Sequence, residues 1–182
     1  MQKIILIIFI QTILFVLSNC SSSWKITKEI CKNSNYSFIP PQRWMVYKEG
    51  TSTLLSYHGT TIDRILITRR SITAPLPYTQ LTISPGILPH ELGELLFFRA
   101  VATPGVSNVI LREIKTTTID GRSGIKCRFD YQINDITYSD IVYGLIDSLF
   151  LYELRFSATK CVYFDESVIN FESVVSSFRL RK

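Results

Sequence analysis

The stretch VILREIKTTTIDGRSGIKCRFDYQINDITYSDIVYGLIDSLFLYELRF, residues 109–156, decides the fold. Val109–Ile119 alternates apolar with polar residues and runs into Asp120-Gly121, a dipeptide suited to the positive φ angles of a two-residue hairpin turn. Ile125–Ile133 returns with Cys127, Phe129 and Tyr131 on one side and Lys126, Arg128 and Asp130 on the other. That is the period of two that a pleated strand imposes. Asn134-Asp135 supplies the next turn, Thr137–Leu145 the next strand, and Ile146-Asp147-Ser148 another tight connection. In Leu149–Phe156 the residues Phe150, Tyr152, Leu154 and Phe156 point one way, Glu153 and Arg155 the other. Such repeated reversals predict an antiparallel meander.

Upstream, Tyr36–Trp44 reads as a short strand, a turn enforced by Pro40-Pro41, and the start of an extended run to Lys48. Ser52–Tyr57 and Ile62–Arg69 have strand composition, and Tyr78–Ile83 is read as a further extended segment after Pro75 and Pro77. Ser84-Pro85-Gly86 opens a helix that carries Pro89 in its first turn, acidic Glu91 and Glu94 near its positive end, and an apolar side from Leu88 to Phe98. Thr103-Pro104-Gly105 ends it. Downstream, Asp165 can cap a helix in which Val168, Phe171, Val174, Val175 and Phe178 form one stripe. Strands grouped in a meander, with helices set among them, predict an α+β fold rather than a doubly wound parallel one.

The N-terminus carries an address. Met1-Gln2-Lys3 is a short positive region, and Ile4–Leu17 is apolar but for Gln11 and Thr12. Fourteen residues fall short of the ~20 that span a bilayer as a helix, and they match the core of a signal peptide. The run stops at Leu17-Ser18-Asn19-Cys20, which resembles a bacterial lipobox, with Asn19 where Gly, Ala or Ser is usual. The expected organisation is therefore a signal peptide over 1–19, a lipidated Cys20 with a Ser-rich tether over 20–33, and a single domain over 34–182. The resemblance implies fatty chains on Cys20, a membrane partner, and a place in the bacterial envelope. With Ser21 after the cysteine, it implies the outer membrane facing the periplasm. The plainer alternative is cleavage after Ser18, which leaves Cys20 as an ordinary thiol.

Charge excludes little but points away from nucleic acid. Twenty basic and fifteen acidic residues give +5, and the pairs Arg69-Arg70 and Arg179/Arg181 are too short for a nucleic-acid patch. The four cysteines, Cys20, Cys31, Cys127 and Cys161, contain no Cys-x-x-Cys, so neither a zinc ribbon nor a dithiol redox motif is indicated. One disulfide using Cys31, pinning the N-terminal segment to the domain, is the expectation.

The order of these pieces resembles the PsbP-like superfamily, which includes photosystem PsbP proteins, Ran-binding Mog proteins and bacterial DcrB-type lipoproteins. The likeness rests on Tyr36-Ser37-Phe38-Ile39-Pro40-Pro41-Gln42-Arg43-Trp44, on Tyr152-Glu153-Leu154-Arg155-Phe156-Ser157-Ala158, and on the ending from Phe164-Asp165-Glu166 to Ser177-Phe178. It covers roughly residues 34–180. It implies an αβα sandwich and an accessory or docking role without catalysis, and it carries no site residues across.

Chemistry in the sequence is sparse. His90-Glu91-Leu92-Gly93-Glu94 places His90 and Glu94 at i, i+4 on a helix, half of a zincin motif without its second histidine. Only His58 and His90 are present, and no Gly-x-Ser-x-Gly elbow accompanies them. The expected function is a lipid-anchored envelope accessory protein that binds another envelope protein, with no cofactor and no metal. An apolar surface at Trp44, Phe97 and Phe98 is the expected docking patch. Two alternatives stay open: an envelope hydrolase or metal enzyme using His90/Glu94 or a Cys-His pair, and a small-ligand or lipid carrier.

Overall fold

The computed structural model describes residues 23–181. In chain order the elements are β1 (Lys25–Ile26), β2 (Cys31–Lys32), β3 (Tyr36–Phe38), β4 (Met45–Glu49), β5 (Ser52–Ser56), β6 (Asp63–Ser71), α1 (Pro89–Val101), β7 (Ser107–Ile119), β8 (Arg122–Ile133), β9 (Ile136–Asp147), β10 (Phe150–Thr159), α2 (Tyr163–Ser177) and β11 (Arg179–Leu180). Eight strands form one sheet in the order β1-β4-β5-β6-β10-β9-β8-β7, every neighbour antiparallel. A small second sheet, β11-β3-β2, ties the C-terminal end to the N-terminal segment.

The meander runs as its alternation predicts. Asp120 (φ 51°) and Gly121 (φ 72°) turn β7 into β8, and Asn134 (φ 48°) and Asp135 (φ 64°) turn β8 into β9. Both central residues of each turn lie in the left-handed region, the geometry whose twist matches the flanking strands. The edge strand β7 carries two register shifts along its length, which disrupt the flat row of free backbone groups that another chain could extend.

Neighbouring residues on one strand serve two different cores. Val142 packs with Ile125, Cys127 and Phe129 against Leu92, Leu96 and Ala100 of α1. Ile141 and Tyr143 pack with Leu154 and Phe156 against Phe164, Phe171 and Val174 of α2. The helices therefore lie on opposite faces, giving the expected sandwich. Gly93 lets α1 sit close: a Cβ there would come within 2.9 Å of both Ile114 Cγ2 and Ile125 Cγ1.

Several expectations are corrected. Residues 78–83 form no strand but an irregular loop between β6 and α1; with Pro75 and Pro77 beside them, they carry too little alternation to earn a pairing partner. The first helix starts at Pro89, not near Ser84, and Glu91 Oε2 accepts the Leu88 N–H at 2.9 Å. The stretch expected as tether over 20–33 contains two strands, since β1 pairs with β4 and β2 with β3. Cys31, expected in a disulfide, is a buried free thiol, as is Cys127, while Cys161 is free and exposed. Burial pushes the Cys31 thiol up, against a smaller opposing pull from Lys48.

Candidate binding face

The face that carries α1 is covered over only half its width. The helix packs on β7 and β8 and touches β9, whereas among the described residues no helix stands on this face over β4, β5 and β6. Register fixes what that open half presents. Tyr47, Leu54 and Leu66 stand opposite one another across β4, β5 and β6, and the row continues through Arg155, Val142 and Cys127 under the helix. Trp24, 41 % exposed, lays its ring 5.5 Å from that of Tyr47, and Ile26 of β1 lies beside it opposite Met45. The result is an aromatic and aliphatic shelf reaching the sheet edge.

Where the shelf meets the helix, the chemistry changes. Alternate residues of β6 place Arg64, Leu66, Thr68 and Arg70 on this face, and β10 adds Glu153 and Arg155. With Arg99 and Thr103 from the helix side and Pro77 and Tyr78 from the preceding loop, they line a cavity of about 240 Å³. A second cavity of about 290 Å³ shares Arg64, Tyr131 and Ile133 with it and extends the depression toward Thr60 and Tyr138.

Two of the four arginines are spoken for. Arg99 grips Glu153 with both ends of its guanidinium, Nη1 to Oε2 at 2.6 Å and Nη2 to Oε1 at 2.7 Å, each side chain 6 % exposed. Burial alone would push the Glu153 carboxyl up. The Arg99 charge and its hydrogen bonds outweigh burial and hold it below the usual glutamate value. Arg155 donates through Nε to the wholly buried Asp140, which holds its guanidinium charged in spite of burial. Arg64 and Arg70 are different. Among the described residues, neither has a carboxylate oxygen within 4.0 Å. Burial pulls the Arg70 guanidinium below its usual value, against an opposing attraction from Glu153 and with a smaller repulsion from Arg99. Among the described residues, the buried Arg70 Nε has no hydrogen-bond partner.

The residues expected to matter lie elsewhere. Trp44 is 2 % exposed, inside the α2-side core with its ring 6.3 Å from Tyr57, so it anchors packing and cannot present a surface. Phe97 is half-buried against Phe129, ring centroids 6.1 Å apart, and Phe98 alone of the three is exposed, at 51 %. Cys20 lies outside the described residues. His90 and Glu94 do meet, Nε2 to Oε1 at 3.4 Å, on the solvent side of α1. Among the described residues, no group of three or more His, Cys, Asp or Glu could hold a metal. Cys127 donates to the Gly93 carbonyl at 3.6 Å, and burial pushes its thiol up to about 12, far from a nucleophile's range. His58 is held by Asp63, Nδ1 to Oδ2 at 2.8 Å, while Asp63 Oδ1 accepts the N–H groups of Tyr57 and His58 and the Ser56 hydroxyl. That network closes the β5–β6 turn, and no serine or cysteine bonds the histidine ring among the described residues.

No family model and no curated protein matches the sequence. Solved structures match the shape. The cyanobacterial PsbP protein CyanoP of Synechocystis sp. PCC 6803 superposes with a TM-score of 0.56 at 13 % identity, over 90 % of this chain and 96 % of its own. The Ran-binding protein Mog1p of Saccharomyces cerevisiae superposes with a TM-score of 0.58 at 7 % identity, over 86 % of this chain and 96 % of its own. This chain has the PsbP-like fold. Identities this low establish architecture and leave the PsbP-like surfaces free to differ, so the arginine-lined groove stands on this chain's own residues. The sequence did carry a signal for it. In β10, Glu153 and Arg155 occupy the alternate face of a strand central to the sheet, where charge needs a partner, and Asp63–Ser71 sets two arginines on that same face.

Proposed function

We propose that this chain is a lipid-anchored accessory protein of the bacterial envelope, held through Cys20, whose domain binds another envelope protein without catalysing a reaction. One observation carries the reading: among the described residues, half of one sheet face carries no helix, and its shelf of Trp24, Ile26, Tyr47, Leu54 and Leu66 borders two arginines with no carboxylate oxygen within 4.0 Å. A monomer that needed nothing on this face would cover or polarise it. The cavities at its border, about 240 and 290 Å³, are smaller than the roughly 300–1,000 Å³ that encloses a small molecule. They suit side chains of a partner better than a carried ligand. The binding role of Mog1p, a Ran-binding protein by name, supports the reading by analogy of fold.

Photocrosslinking in cells tests it. A photoreactive residue placed in the full-length chain at position 54 or 66 should give protein adducts, while one at position 169, 73 % exposed on the outer side of α2, should give few. Equal yields from both faces, or none from the shelf, overturn the reading.

A further inference from the structure

We propose that the partner enters the groove as an extended acidic segment lying along β6, its carboxylates meeting Arg64 at one end and Arg70 at the other. The inference rests on the docking role given above and specifies its chemistry.

The positive charges in the groove are in excess and spread out. Arg64, Arg70, Arg99 and Arg155 line it against a single lining carboxylate, Glu153, which Arg99 already occupies in both its oxygens. Asp140 occupies Arg155 from behind. What remains without a direct carboxylate contact among the described residues is Arg64 and Arg70, six residues apart on one face of one strand, with Arg70 sharing the field of Glu153 with Arg99. At ~3.3 Å per residue their backbones are roughly 20 Å apart. To meet a single phosphate or carboxylate, both side chains would have to lean toward each other along the strand, whereas two carboxylates can meet each one separately. An extended chain, with its own rise of ~3.3 Å per residue and its side chains alternating in direction, brings acidic side chains six residues apart, on one face, to both guanidinium groups. Its intervening apolar residues then rest on Leu66 and the shelf beyond.

The same geometry disfavours a bilayer as the occupant. The helix that walls the groove has a diameter of ~10 Å and stands above the sheet beside Arg70 and Glu153. A flat membrane meeting that helix would be held away from the arginines at its foot, whereas a single extended strand of polypeptide fits between the helix and the shelf. β6 is paired on both sides, with β5 and β10. Recognition therefore runs through side chains and charge, not through addition of a strand to an edge.

The test extends the crosslinking. With the photoreactive residue at position 66 of the full-length chain, adducts are mapped to the captured peptide by mass spectrometry, in the parent and in Arg64→Glu/Arg70→Glu. Among the described residues Arg64 has no carboxylate oxygen within 4.0 Å, so Arg64→Glu alone should keep its thermal midpoint. Arg70→Glu removes a charge that attracts Glu153, so the midpoint of the double variant is measured alongside and yields are compared only where it is folded. The expected result is a captured segment with at least two Asp or Glu six residues apart, and an adduct yield reduced roughly tenfold or more by the charge reversal. Arg64→Gln/Arg70→Gln should fall between. A captured segment without acidic residues, or a yield unmoved by charge reversal in a folded variant, overturns the acidic inference while leaving the docking face intact. Capture of phospholipid in place of protein overturns it in favour of the membrane. Silence at both 54 and 66 removes the docking face and the acidic segment together.

Discussion

At the scale of single residues, the Arg99–Glu153 pair is a bidentate contact buried on both sides. Removing one partner of a buried, bidentate pair strands the other charge in the interior, at a cost of about 3–5 kcal/mol. Arg99→Met should therefore lower stability to chemical denaturation by that amount. Arg99→Met/Glu153→Leu should recover much of the loss, since a packed apolar pair replaces the ion pair at small net cost. Glu153 also sets an acid limit. Its carboxyl binds protons less readily folded than unfolded, so its contribution is complete above the ordinary glutamate value of ~4.3 and drains away as pH falls toward the lowered folded value. Denaturant midpoints measured from pH 6 to pH 3 should fall, and fall less in the double variant. The thiols give a second residue-level prediction. Cys31 and Cys127 are buried with thiols raised by burial, while Cys161 is exposed. Brief alkylation of the folded domain should modify Cys161 and spare the other two, with all three reacting after denaturation.

Elements were legible where the pattern was local and failed where it was not. β8 announces itself because Ile125, Cys127, Phe129 and Tyr131 face one core while Lys126 and Arg128 face another environment, a contrast written within nine residues. The Arg99–Glu153 pair spans 54 positions, so no window of sequence could join it, although the alternate-face charges of β6 and β10 marked the floor of the groove it braces. Trp44 beside two prolines reads as a surface aromatic, yet the turn they enforce tucks the indole into the core. Gly93 shows the converse, a residue whose role lies wholly in packing. In an isolated helix Gly93→Ala would gain up to ~1 kcal/mol in propensity. Here the added methyl meets Ile114 Cγ2 and Ile125 Cγ1 at 2.9 Å and Cys127 Sγ at 3.2 Å, and overpacking of that kind costs about 1–3 kcal/mol. Two contacts below 3.0 Å place the crowding at the upper end of that range, so after the propensity gain Gly93→Ala should destabilise by roughly 1–2 kcal/mol. Ile114 lies on the edge strand, so trimming it in Gly93→Ala/Ile114→Ala should relieve the crowding, and a double-mutant cycle on urea midpoints should report a favourable coupling.

At the scale of the whole molecule, the order of the sheet ties the proposed anchor to the proposed binding face. β1 is the outermost strand on the open side and begins at Lys25, five positions beyond Cys20. Five residues reach at most about 18 Å even when fully extended. A lipid on Cys20 would thus hold the shelf of Trp24, Tyr47 and Leu54 close to the membrane surface, facing whatever protein emerges beside it. The anchor is the part of this arrangement that chemistry can test directly. Cells fed a palmitate analogue should label the wild-type chain and leave Cys20→Ser unlabelled. The mature wild-type protein should begin at Cys20, with a mass raised by its acyl chains, and should partition with membranes. Even two acyl chains suffice for stable attachment, so partial loss on washing is not expected. An unlabelled wild-type chain beginning at Asn19 would establish ordinary cleavage after Ser18. The domain would then be free to diffuse, and the short reach between anchor and shelf would lose its meaning, while the arginine groove, built entirely from residues beyond Lys25, would still await its acidic partner.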